Sequence, residues 1–253
     1  MKAFSLTHFV FLAVTFAFFA GGCVFVKKLK PKWQNFVFLL CAVICAGGIV
    51  YRYGFGFFNR GFSLKTLALQ MLQVCNFNLI LVILMLIPKC EMARQYSVFF
   101  SAICAFTTFV SIPKDWAGRA WYDIYVINSW LNHTFAIALP LFMVSAKRLK
   151  PKKEYIWRVV LCVFLYFTVV YGISEILIAN NVIKVANSFS FIYRTEGVGL
   201  LQFLNKLIPL PYFYLYPLLP LLIAFFYALA WAFKNYTCGE FCNGTKNSKE
   251  KGL

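Results

Sequence analysis

The sequence predicts an all-α polytopic membrane protein, a bundle of about seven transmembrane helices. Three observations carry this. Hydrophobic residues make up 62% of the 253 residues and charged residues 13%, against about 25% charged in an ordinary soluble domain. Phe alone contributes 30 residues, more than a soluble core of this size buries. Finally, the apolar residues are gathered into long runs separated by short basic loops, each run long enough, or nearly so, to cross about 30 Å of hydrocarbon.

The expected spans are Ala3–Val26, Trp33–Tyr51, Leu64–Ile87, Ser97–Ile112, Tyr122–Ser145, Tyr155–Ala179 and Leu210–Phe233, within a membrane domain of residues 1–236. The first ends in Ala20-Gly21-Gly22-Cys23 followed by Lys27, Lys28, Lys30 and Lys32, a stop-transfer pattern, so it is read as a retained helix and not a cleaved signal. Lys-Pro-Lys turns at 30–32 and 150–152 stop the helices before them. The fourth span is the shortest. Residues 183–208 are mixed in character and predict a short re-entrant or interfacial helix. Residues 237–253 form a polar, Gly- and Lys-rich tail, expected to be disordered.

The net charge is +17, from 25 Lys and Arg against 8 Asp and Glu. These cations lie in loops and not on one polar face, which argues against a nucleic-acid partner. With seven spans the loops alternate sides, and the clusters Lys27–Lys32 and Lys147–Lys153 fall together. The positive-inside rule puts that side in the cytoplasm, with the N-terminus outside and the C-terminus inside. In a bacterial cell the compartment would be the cytoplasmic membrane. The nine Cys are odd in number and irregular in spacing, and most sit in apolar runs, so they form no disulfide framework. Cys238 and Cys242 have no His nearby; no metal and no cofactor is expected.

Chemistry is sought where polar side chains lie deep in apolar runs, since each is unfavourable in lipid unless paired or wetted. The third run holds Gln70, Gln73, Cys75, Asn76 and Asn78, and the fifth holds Asn128, Asn132, His133 and Thr134. Cys75 lies eleven residues into its run and His133 eleven into its own. At 1.5 Å per residue both come to roughly 16 Å depth, near the bilayer midplane. A thiol beside an imidazole can attack an acyl carbonyl and form a thioester, the chemistry of a lipid acyltransferase or acyl hydrolase. Asn76, Asn78, Asn132 and Gln73 would supply oxyanion or orienting donors, and Asn128 would line the same cavity. His8 is read as interfacial. Glu175 would pair with Lys184 or Arg194, or line an outward cavity. The same midplane polar groups would also suit a transporter or binding protein for a small or lipidic solute, without covalent catalysis.

Three stretches resemble a known family: LALQMLQVCNFNLILV (Leu67–Val82), INSWLNHTFAIALPL (Ile127–Leu141) and ANSFSFIYRTEGVGLLQFLNKLIPLPYFYLYP (Ala186–Pro217). In order and separation they resemble the YwaF-like bacterial integral membrane proteins, whose animal relatives include a membrane acyltransferase acting on ether phospholipids. The resemblance implies that Cys75 and His133 are the working pair and that a fatty acyl group passes between membrane lipids through a Cys-bound acyl group. Phospholipid or lysophospholipid would be the substrate, and no soluble cofactor would be needed. It implies a place for Asn187 and Tyr193 at the outer mouth of the site. The chain departs from the family pattern at Gln70 and Gln73, where Pro and His are usual, and at Leu210 and Phe213.

The charge asymmetry gives a direct test. A reporter enzyme that is active only in the cytoplasm, fused to the C-terminus, should be active. Activity only for a reporter that requires the external side would reverse the orientation.

Overall fold

The computed structural model describes residues 5–60, 72–110, 118–183, 192–193, 195 and 199–237. Every regular element among them is helical. The longer ones are α1 (Leu6–Lys28), α2 (Pro31–Arg60), α3 (Val74–Leu84), α4 (Glu91–Tyr96), α5 (Ala102–Val110), α6 (Ile124–Ser145), α7 (Ile156–Ala179), α8 (Gly199–Leu207) and α9 (Leu218–Ala232). A π-helical turn at Ser97–Ser101 joins α4 to α5. Short 3-10 turns at Lys153–Tyr155 and Phe213–Leu215 lead into α7 and α9. The protein is a polytopic helical membrane protein. Among the described residues, four segments are long and apolar enough to cross a bilayer by themselves: Leu6–Lys28, Pro31–Tyr51, Lys153–Ala179 and Phe213–Ala232.

Local chemistry explains where the helices begin and end. Ser5 caps α1, accepting from the His8 amide at 3.3 Å. Pro31 opens α2 at its first position, where the missing N–H would have had no helical partner. Asp123 caps α6, its carboxylate accepting from the Tyr125 amide at 2.8 Å and pairing with Arg119 at 3.0 Å. On α1, Leu6, Phe9, Val10, Val14, Phe16, Val24 and Phe25 are all more than half or about half exposed. Only lipid accepts such a surface.

α6 is the central helix. It packs most extensively on α2 and also meets α1, α3 and α5. Close approach comes from glycine. A Cβ at Gly22 of α1 would lie 2.3 Å from the Phe142 ring of α6, so that ring occupies the space glycine leaves. Trp130 of α6 donates its indole N–H to Thr15 of α1 at 3.0 Å. Thr15 in turn donates to the Phe11 carbonyl one turn earlier.

The basic loops meet at one end of the bundle. Ser145 donates to the Cys23 carbonyl, Arg148 to Gln34, and Lys150 to the Lys234 carbonyl, at 2.9, 3.1 and 3.0 Å. Lys152 pairs with Glu91 at 2.8 Å, while Gln95, fully buried, bridges Glu91, the Lys150 carbonyl and the Lys152 amide. The stretches around residues 30, 91, 150 and 234 therefore share one side, as alternation of the spans requires.

Several elements differ from the expected spans. Helix α3 begins at Val74: Leu72 and Gln73 are turn and bend, and Gln73 is extended (φ −81°, ψ 127°). Leu64–Met71 lie outside the described residues. A depth counted from Leu64 at helical rise therefore does not hold for Cys75, which stands in the first turn of α3. The fourth span starts earlier than expected, because α4, the π turn and α5 run without a break from Glu91 to Val110. Helix α8 falls in the segment expected to hold a short helix, and Tyr212 (φ 67°) with Pro211 turns the chain into α9. His8, in the first turn of α1, is buried against the bundle, its Nε2 donating to the Phe109 carbonyl at the end of α5 at 2.6 Å. The paired donor removes the penalty of burial that made the surface the expected place.

The Gly22–Phe142 contact predicts a steric rescue. Gly22→Val should lower stability by about 1–3 kcal/mol through overpacking, and adding Phe142→Ala should recover part of the loss. Thermal unfolding in detergent measures both. A Gly22→Val protein as stable as the parent would mean that the contact does not hold α1 to α6.

Candidate active site

The two polar clusters of the sequence converge on one small cavity between α3, α5 and α6. Its walls are Cys75, Asn78 and Leu79 of α3, Cys104 and Ala105 of α5, and Asn132, His133 and Ala136 of α6. Its volume is about 10 Å³, on the scale of one water. The helical repeat accounts for these sets: Cys75, Asn78 and Leu79 are three and four apart, as are Asn132, His133 and Ala136. Pro140, one turn beyond Ala136, withholds the N–H that the Ala136 carbonyl would accept in a regular helix.

His133 and Asn78 are each held by one hydrogen bond and have a second polar atom without a partner among the described residues. His133 is 7% exposed, and its Nδ1 donates to the Ser129 carbonyl one turn earlier at 2.6 Å. A carbonyl accepts only, so the neutral ring carries its proton on Nδ1 and presents a lone pair at Nε2. That Nε2 makes no hydrogen bond to the described residues. The edge of the ring is set by Phe109, centroids 6.4 Å apart at 78°, and the Phe109 carbonyl is the one that His8 holds. Asn78 Oδ1 accepts from the buried Tyr96 hydroxyl at 2.9 Å, while its Nδ2 has no well-formed hydrogen bond. Asn132 is 1% exposed, and its Nδ2 is likewise unsatisfied. Cys104 stands in the wall of the same cavity as Cys75 and Asn78.

The approach of Asn132 depends on α2. A Cβ at Gly48 would lie 1.8 Å from Asn132 Oδ1 and 2.3 Å from Nδ2. Glycine there lets the amide lie flat on the α2 backbone. The start of α3 is fixed by α7: Tyr166 donates to the Leu72 carbonyl at 2.9 Å and stacks on Phe77 with centroids 4.5 Å apart at 18°. The positive end of the α3 dipole therefore stands beside Cys75.

The cavity thus collects Cys75, Asn78, Asn132 and His133. None of the other expected residues that are described lines it. Asn76 is buried but faces away from it, Gln73 is the exposed N-cap residue of α3, and Asn128 is half-buried at the outer part of α6. Glu175 and Tyr193 bond to each other, Tyr193 donating, near the end of α7. They join a separate group with Tyr171 and Tyr212, in which Tyr171 stacks on Tyr212 at 5.2 Å and Tyr212 shares a hydrogen bond with Thr168 at 2.7 Å. Asn187 lies outside the described residues, as do Lys184, Arg194, Cys238 and Cys242. Among the described residues no group of His, Cys, Asp or Glu is placed to hold a metal.

Sequence reading overlooked Cys104 and Gly48. Cys104 is one of several thiols in apolar runs, flanked directly by Ile103 and Ala105. Gly48 had a signal, the Gly47-Gly48 pair inside an apolar run, but its purpose is visible only with Asn132 against it.

A second, larger space lies directly behind the cavity. It is a groove of about 900 Å³ between α5, α6, α7, α8 and α9, lined almost wholly by apolar side chains. Leu141, Phe106, Leu221 and Phe225 on its walls are 37–64% exposed, so it opens to the surface that faces lipid.

Removing the Tyr96 hydroxyl would strand Asn78 Oδ1 in a buried position. Tyr96→Phe should destabilise the protein by about 1–3 kcal/mol, the usual penalty for a buried unpaired acceptor, read by thermal unfolding. An unchanged midpoint would show that Asn78 is held by something else.

No curated protein and no solved structure matches this chain. The model of the TMEM164 family matches residues 3–231, nearly the whole chain. The chain therefore belongs to the TMEM164 family of transmembrane proteins.

Proposed function

We propose that the protein is a membrane-embedded lipid acyltransferase in which Cys75 is the nucleophile and His133 the general base. The observation that carries this reading is the convergence in one buried cavity of the Cys75 side chain with an imidazole Nε2 and two amide N–H donors that have no hydrogen-bond partner among the described residues. Buried polar groups are nearly always paired, and the Nε2 of His133 with the Nδ2 groups of Asn78 and Asn132 are exceptions that share a wall. The family resemblance of the Cys and His stretches to YwaF-like proteins supports the same pair and the same substrate class.

The steps follow from those groups. His133 Nε2 takes the proton from the Cys75 thiol. The thiolate adds to an ester carbonyl of a phospholipid, and the amides of Asn78 and Asn132 donate to the developing oxyanion. The ester C–O bond breaks, and the leaving lysolipid oxygen receives the proton from His133. Cys75 now carries the acyl group as a thioester. The hydroxyl of an acceptor lysophospholipid then gives its proton to His133 and attacks the thioester, and the thiol regains the proton as it leaves. Water as the acceptor would give a fatty acid instead. The Ser129 carbonyl orients the ring by holding Nδ1–H throughout, and it stabilises the imidazolium that forms in each half.

Purified protein in lipid micelles, given a phospholipid donor and a lysophospholipid acceptor, tests the proposal. Acyl exchange should be lost in Cys75→Ala and reduced about a hundredfold to ten-thousandfold in His133→Ala, the usual contribution of a positioned base. Full exchange in Cys75→Ala would sink it. Solute uptake by vesicles that survives Cys75→Ala would favour a transporter.

A further inference from the structure

The small cavity and the apolar groove stand back to back across the same three helices. On α3, Val74 faces the groove and Cys75 the cavity. On α5, Ile103 faces the groove and Ala105 the cavity, and on α6, Ile137 faces the groove and Ala136 the cavity. One residue, Cys104, lines both. In the cavity wall it stands with Cys75 and Asn78. The partition between an apolar space open to lipid and a polar space holding a thiol and a base is therefore one small side chain thick at this point.

We propose that the groove binds an acyl chain of a membrane phospholipid and that Cys104 is the specificity-determining residue at the passage through which the ester carbonyl reaches Cys75. This rests on the acyltransferase reading above. A groove of about 900 Å³ falls in the size range of sites that enclose a small ligand, and its lining offers an aliphatic chain contact with almost no polar group to desolvate. Its opening lies within the span, where phospholipid chains are the solvent. An ester, in contrast, needs the donors of the inner cavity. A lipid placed with its chain in the groove and its carbonyl beyond Cys104 satisfies both. The position asks for a small side chain, and cysteine is small. The thiol of Cys104 takes no part in bond making here; Cys75 keeps that role.

Two substitutions separate a passage from a reacting group. Cys104→Ala keeps the passage open, and Cys104→Phe fills it. The probe is a phospholipid with an alkyne-tagged acyl chain, mixed with the full-length protein in vesicles, and thioester on Cys75 is read by mass spectrometry. A small thiol reagent, methyl methanethiosulfonate, reports in parallel on folding and on access to Cys75. Thioester should still form on Cys75 in Cys104→Ala, where the passage stays open. Cys104→Phe should acylate it roughly 10–200-fold more slowly, the range for steric misfit in an apolar site, while Cys75 still reacts with the small reagent. Filling the groove farther from Cys75, with Leu222→Trp, should slow long-chain donors more than short-chain ones. Undiminished acylation in Cys104→Phe, or loss of acylation in Cys104→Ala with Cys75 still reactive, would overturn the passage and leave the enzyme reading intact. No thioester in the parent protein would overturn both.

Discussion

A hydrogen-bonding group in the hydrocarbon core of a bilayer has no water to turn to, and the arrangement of α6 answers that constraint. α6 carries Ser129, Asn132, His133 and Thr134 in consecutive turns, all buried. A helix of that composition is unstable against lipid. It is stable at the centre of a bundle, where α2, α1, α5 and α3 surround it and the outer faces of α1, α2, α7 and α9 present apolar side chains to the membrane. The position of the other helices follows from keeping α6 covered. Burial does not satisfy every group: the Nε2 of His133, the Nδ2 of Asn132 and the Oγ1 of Thr134 have no hydrogen-bond partner among the described residues, and the first two belong to residues that line the small cavity.

Helices in lipid gain little from the hydrophobic effect, so close contact has to come from shape and from a few hydrogen bonds. Glycine supplies the shape at two places. Gly22 receives the Phe142 ring and Gly48 receives the Asn132 amide, one on each of the helices that pack most on α6. Hydrogen bonds from one element to the backbone of another supply the rest: His8 to Phe109, Tyr166 to Leu72, Ser145 to Cys23. Two of these reach the ends of the helices that build the cavity. His8 fixes the end of α5 beside the His133 ring, and Tyr166 fixes the start of α3 one turn before Asn78. The cavity is thus held from α1 and α7, neither of which contributes a side chain to it.

The fold class was legible because hydropathy is a local property summed along the chain. The bounds of α6 and α7 agree with the apolar runs to within two residues at each end. Where the backbone leaves helical geometry inside an apolar run, composition is silent. The bend at Leu72–Gln73 and the π turn at Ser97–Ser101 both lie in stretches as hydrophobic as the helices around them. Depth counting brought Cys75 and His133 to one level by a route the bend invalidates, and they nevertheless line one cavity, because Tyr166 and Phe77 set where α3 begins.

Cys75, Asn78, Asn132 and His133 could be named from the sequence because polar residues inside apolar runs are rare and conspicuous. Asn76, Gln73 and Asn128 were equally conspicuous, and only the helical phase of α3 and α6 against their neighbours separates those that face the cavity from those that do not. Cys104 and Gly48 were invisible for the opposite reason: a thiol and a glycine in an apolar run look like filler until another helix is laid against them. The sequence by itself determined that the chain crosses a membrane as helices and which side chains are too polar to lie in lipid, since both depend on the transfer of single residues from water. The tertiary structure decided which of those side chains share a cavity, which small residue stands between it and the lipid, and which backbone yields space to Asn132. Those depend on the relative rotation and distance of helices far apart in sequence, which no local property records.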